Sequence, residues 1–144
     1  MEQAQFMLTI LCPEKEFFNE QANEVVFCTP EGSIGIMAGH SPLFAAVSEG
    51  VLEIFSDGQW KVAAVGQGFC EVSYHRAEFY LDSAEWADEI DEARAKEALE
   101  RAEHRLQDTI SKQEYLRTEA SISRALARLK AAKSVTDHKM TIMK

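Results

Sequence analysis

Hydrophobic positions change rhythm once along this chain. From Phe6 to Leu81 they come in short alternating runs broken by glycine and proline. From about Ala84 they recur every three or four residues, with no glycine or proline to the end. A period of two marks half-buried strands, and a period near 3.6 marks amphipathic helices. Strands therefore give way to helices close to Ile90-Asp91-Glu92-Ala93-Arg94-Ala95.

Phe6, Leu8 and Ile10 alternate and stop at Pro13, and Val25-Val26-Phe27-Cys28 is closed by Pro30-Glu31-Gly32. Between Gly32 and Leu43, three glycines and Pro42 among apolar residues predict tight turns joining very short strands. Val51–Phe55 and Trp60–Val65 flank Asp57-Gly58, a strong hairpin signal. Phe69–Tyr74 and Glu78–Leu81 make another pair, with a turn around His75-Arg76. Many short strands without an intervening helix predict an antiparallel β-sandwich or flattened barrel over residues 1–86.

From about Ala84 to Ile110 the stripe Ala95, Leu99, Ala102, Leu106, Ile110 predicts one amphipathic helix. Ser111, with Glu114 three residues on, reads as the cap of a second, whose stripe is Ile122, Ala125, Leu126, Leu129, Ala132. The two stripes predict an antiparallel helical hairpin over residues 87–133, and residues 134–144 are expected to form a flexible tail. Alanine-rich stripes bury little area, so this is a hairpin that can open.

With 144 residues, 46% of them hydrophobic, the chain can bury one main core and a small appendage. Its longest apolar runs, such as Leu43–Val47, fall far short of the roughly 20 residues of a membrane helix. The first residues lack the features of a secretory signal or transit peptide, so a soluble bacterial cytoplasmic protein is the expectation. Cys12, Cys28 and Cys70 are widely spaced within apolar runs and read as free, buried thiols.

Charge alters this picture more than composition does. Residues 1–86 carry 13 acidic and 3 basic side chains, residues 87–109 carry 8 and 4, and residues 110–144 carry 3 and 8. The last stretch suits an acidic partner, an anionic ligand or the chain's own acidic front. Nucleic acid is disfavoured, because the acidic body repels a phosphate backbone.

The candidate chemistry lies in the helices. Asp91 and Arg94 share a helix face, so Asp91 is expected to brace the Arg94 guanidinium. Antiparallel helices meeting near residue 111 bring Arg94 and Arg101 across from Arg124 and Arg128, so four guanidinium groups converge. Arg124 and Arg128 have no acidic neighbour three or four residues away, and a ligand with several phosphates would relieve their repulsion. A solvated basic face or a protein-docking face is the competing reading. Gly66-Gln67-Gly68 lacks the third glycine and following helix of a dinucleotide loop, and there is no P-loop. The four histidines are too scattered for a metal site, His40 reads as a hydrogen-bonded structural or interface residue, and no catalytic constellation survives.

Three segments, Glu31 to Leu43, Gly66-Gln67-Gly68-Phe69-Cys70-Glu71-Val72 and Ile90-Asp91-Glu92-Ala93-Arg94-Ala95, occur in an order and at separations that resemble the epsilon subunit of bacterial F-type ATP synthase. The resemblance covers residues 1 to about 133. It implies a non-catalytic rotor subunit at the foot of the central stalk, docked by its sandwich on the gamma subunit and the ring of c subunits. Glu31, Ser33, Gly39, His40 and Pro42 would face these partners, with Ala38 standing where many relatives have proline. It also implies that the helices can open toward the catalytic beta subunits and oppose ATP hydrolysis. By the same resemblance the folded hairpin binds ATP as a regulatory ligand through Glu85, Ile90, Asp91, Arg94, Ala95, Arg101, Arg124 and Arg128, and needs no other cofactor. The expected location is peripheral, at the cytoplasmic face of the bacterial inner membrane. The alternative is a free-standing ATP-sensing adaptor built from the same parts.

Overall fold

Alternation becomes burial strand by strand. In β1 (Phe6–Cys12), Phe6, Leu8 and Ile10 are buried while Met7 and Thr9 are half-exposed. The computed structural model describes residues 4–107 and 111–143, with side chains through Ser134. Nine further strands follow: β2 (Lys15–Ala22), β3 (Glu24–Thr29), β4 (Gly32–Met37), β5 (Leu43–Val47), β6 (Gly50–Ser56), β7 (Gln59–Val65), β8 (Gly68–Val72), β9 (Arg76–Leu81) and β10 (Ala84–Trp86). They form two five-stranded sheets, ordered β2-β1-β9-β8-β5 and β10-β7-β6-β3-β4. Every pairing is antiparallel except β1 with β9, which run parallel with Met7 opposite Arg76 and Leu11 opposite Tyr80.

The sheets bury a common core in which Phe27 of β3 meets Phe79 of β9 edge to face, centroids 5.0 Å apart. Asp57-Gly58 makes the expected hairpin between β6 and β7. Both residues have positive φ, 53° and 74°, as a turn matching the sheet's twist requires.

Two strands depart from the sequence expectation. β2 is mostly exposed and charged, with only Phe18 and Ala22 buried, and its pairing with β1 holds it at the sheet edge. β10 and a 3-10 turn (Ala87–Glu89) occupy the stretch expected to open the first helix. Pairing of Ala84, Glu85 and Trp86 with β7 overrides helix propensity there, and Phe17 stacks on Trp86 at 4.4 Å.

Helix α1 (Glu92–Gln107) starts later than expected, and α2 (Lys112–Met143) runs past position 133, into the segment expected to be a tail. Ile110 lies outside the described residues. The Glu114 N–H donates to Ser111 Oγ at 3.2 Å, so the second cap is as expected. Leu126 departs from its expected place, because it is 51% exposed while Ala127 and Ala131 are buried. Helix α2 has two neighbours: one side meets α1, and another lies on β6, β7 and the 3-10 turn. There Ala131 joins Val62, Ala64 and Ala87 in a second, small apolar cluster, edged by Val51 and Ile90. Among the described residues no helix is long and apolar enough to cross a membrane.

Candidate functional site

The Ile90-to-Ala95 segment first serves the fold. The Ile90 side chain packs against the cluster beneath α2, and Ala95 is fully buried. Asp91 does not brace the Arg94 guanidinium. Its carboxylate accepts the Arg94 backbone N–H at 3.1 Å, capping α1. A short side chain next to free N–H groups caps in preference to reaching for a flexible, exposed arginine.

The arginines separate into two groups. Arg124 and Arg128, one turn apart on α2, line a hollow against the sandwich together with Glu49, Gly66, Ser83 and Glu85. Arg94 and Arg101 are exposed on α1 and do not line it, so the expected meeting of four guanidinium groups reduces to two. Nor is Arg128 without a counter-charge. Its Nε donates to Glu85 Oε2 at 2.9 Å and its Nη2 to Glu85 Oε1 at 3.1 Å, a bidentate pair between α2 and β10. That acid lies 43 residues away in sequence, beyond any local count of neighbours.

Arg124 is held more loosely, donating to Ser121 Oγ on its own helix at 3.2 Å. Across the hollow stands Glu49, in the turn between β5 and β6. Burial pushes its carboxyl above the ordinary carboxylate range, Arg124 pulls against that shift, and Asp82 adds a smaller push upward. Its Oε1 is buried without a hydrogen-bond partner among the described residues. The hollow measures about 80 Å³, well under the roughly 300 Å³ of a small-molecule pocket. It admits a phosphate group and not a whole nucleotide. Glu49 and Ser83 were not singled out in the sequence, because an acid beside a strand carries no local signature of facing a helix some 75 positions later.

The second candidate surface is the loop between β4 and β5. The Gly39 N–H donates to the Tyr74 carbonyl at 2.9 Å, tying the loop to the β8–β9 turn, and Gly39 takes a φ of +81°. His40 Nδ1 lies 2.7 Å from the Ser41 carbonyl oxygen, which makes Nδ1 the protonated nitrogen. Glu31, Ser33 and Pro42 are exposed, and the Glu31 N–H donates to Thr29 Oγ1 at 3.2 Å. Met37, Phe44, Phe69 and Tyr74 are 59%, 69%, 41% and 56% exposed. Phe44, Phe69 and Tyr80 form a run of rings across β5, β8 and β9, with centroids 5.4 and 5.0 Å apart. Where β4 enters this loop, Met37 and Ala38 border an apolar hollow of about 400 Å³ with Phe55 and Trp60. Large exposed apolar patches of this kind mark protein–protein contacts.

Comparison with known proteins gives both parts of the chain a counterpart. Residues 5–87 match the family "ATP synthase, Delta/Epsilon chain, beta-sandwich domain", and residues 88–133 match "ATP synthase, Delta/Epsilon chain, long alpha-helix domain". The chain is 41% identical over 128 residues to the ATP synthase epsilon chain of Ruminiclostridium cellulolyticum, covering 89% of this chain and 96% of that one. It is 43% identical over 129 residues to that of Caldicellulosiruptor bescii, covering 90% and 94%. A chain in the Euglena gracilis mitochondrial ATP synthase, a structure of OSCP, F1 and c-ring, superposes with a TM-score of 0.80. It has 24% identity and coverage of 90% and 81%, and the likeness is one of fold.

Proposed function

We propose, from the premise that this chain belongs to the ATP synthase epsilon-chain family, that it is a non-catalytic rotor subunit which couples a c-ring and gamma subunit to the catalytic head. The observation that carries this reading is that both family regions match in order, across residues 5–133. The sandwich docks on gamma through the Gly39–Pro42 loop and the exposed rings beside it, because burying Met37, Phe44, Phe69 and Tyr74 removes the apolar surface the isolated chain leaves in water. Glu31 and Ser33 face the c-ring. The proposed location is peripheral, on the cytoplasmic side of a bacterial inner membrane.

The test is co-purification. Full-length chain expressed with its gamma partner and membrane sector is expected to sediment with the complex, and Phe44→Asp is expected to reduce recovery at least tenfold. A monomer that binds ATP but never joins a membrane-bound complex would instead support a free-standing adaptor.

The hairpin is the regulatory part. Its apolar seam with the sandwich is small and rich in alanine, so it holds α2 weakly and permits opening toward the beta subunits, where the helices oppose ATP hydrolysis. In the closed form Arg124 and Arg128, the two arginines that line the hollow, receive phosphates of ATP. Arg124→Ala is expected to weaken ATP binding by about 1 to 3 kcal/mol, the scale of a charged hydrogen bond. Calorimetric titration of both proteins measures it, and equal affinities would return Arg124 to the solvated surface.

A further inference from the structure

Glu49 is an acid in a place that disfavours acids. Its Oε1 is buried with no hydrogen-bond partner among the described residues, yet the carboxylate faces Arg124 across a hollow that admits a phosphate. A carboxylate oxygen buried without a partner is unfavourable even on a half-buried residue, and the attraction of Arg124 offsets only part of that. The other charged groups around the hollow are Arg128 of α2, already taken in two hydrogen bonds by Glu85 of β10, and Asp82 at the β9–β10 corner. Among the described lining residues there is no histidine or lysine. The free share of positive field at this seam therefore belongs to Arg124, and Glu49 is the internal anion set against it.

We propose that Glu49 acts as a built-in competitor for anionic ligands at Arg124, holding the arginine's field until a phosphate-bearing ligand takes its place. The proposal rests on the reading of the hollow as a phosphate site. A phosphate at Arg124 withdraws the attraction that keeps Glu49 ionised and adds a negative charge beside it. Glu49 then takes a proton from solvent, so that ligand binding and proton uptake are coupled. The sign follows from the ligand's charge. A phosphate beside Glu49 disfavours its ionised form further, so the bound state takes up more proton than the free state and binding strengthens as the pH falls. Ligand affinity should rise as the solution becomes more acidic, and Glu49 should be the source of part of that rise.

The experiment titrates the full-length chain, Glu49→Gln and Glu49→Ala with ATP and with tripolyphosphate, at pH 7.5 and at pH 5.5. Both variants are expected to bind either ligand about threefold to tenfold more tightly than the parent at pH 7.5, the scale of removing one partly screened like charge. That advantage should shrink at pH 5.5, because the protonated share of the parent's Glu49 is larger there than at pH 7.5. Comparing variant with parent at each pH cancels the titration of the phosphates themselves. Binding by all three proteins with equal affinity at both pH values, or weaker binding by both variants, would overturn the role of Glu49 and leave the phosphate site standing. No binding of either ligand to any of the proteins would overturn the site reading and the inference together.

Discussion

Gly68→Ala is expected to destabilise the protein by about 3 kcal/mol or more, a larger effect than most single methyl additions. A Cβ at Gly68 would run into the Tyr80 carbonyl oxygen and come within 2.9 Å of Leu81 Cα. These are backbone atoms of the paired strand β9, where Gly68 stands opposite Leu81, so no side chain can rotate away. Relief requires separating β8 from β9 beside the β1–β9 pairing, in the middle of a sheet. Thermal melting followed by circular dichroism should show a fall on the order of 10 °C. Gly58→Ala is the internal comparison. Gly58 has a φ of +74° but open space around it, so the cost there is conformational and about 1 kcal/mol. If Gly68→Ala melts no lower than Gly58→Ala, the close approach of β8 and β9 is misplaced. Gly66-Gln67-Gly68 is thus a packing device, its first glycine lying against Ser83 and its second against Tyr80.

Ala131→Glu is expected to release α2 from the sandwich without unfolding the sandwich. Ala131 is fully buried against Val62, Ala64 and Ala87. A carboxylate cannot be left there unpaired at a cost of several kcal/mol when the seam it would occupy is only a handful of small side chains. Undocking is the less costly outcome. Hydrogen exchange should then accelerate in α2 residues facing β6 and β7, while amides of β1, β8 and β9 keep their protection. Loss of protection throughout would mean that the two layers form one cooperative unit, and that an opening hairpin is the wrong description.

The sandwich was legible wherever a strand has one wet and one dry face. Phe6, Leu8 and Ile10, and the Asp57-Gly58 hairpin, declared themselves because burial and turn chemistry act locally. β2 did not, since an edge strand with two buried residues is held by its neighbour's backbone and leaves little trace in its own side chains. Ala84-Glu85-Trp86 reads as the start of a helix by propensity and became a strand through pairing with β7. On α2 the sequence shows one apolar stripe where the helix has two neighbours, and small Ala127 and Ala131 carry the second contact. The candidate site followed the same division. Arg124 and Arg128 stood out through the absence of local acids, whereas Glu85 and Glu49 reach them only through the tertiary fold.

The lone parallel pairing in the sandwich sets a timetable for synthesis. β1 sits inside its sheet, and its partner on one side, β9, begins at Arg76. At roughly 5 to 20 residues per second, the first strand waits several seconds for that partner to be made. Until Leu81 has emerged, one hydrogen-bonding edge of β1 has no partner, the other being paired by the mostly polar β2. The nascent chain is therefore most exposed to wrong partners just before β9 appears, and slow codons placed ahead of that strand would lengthen the hazard.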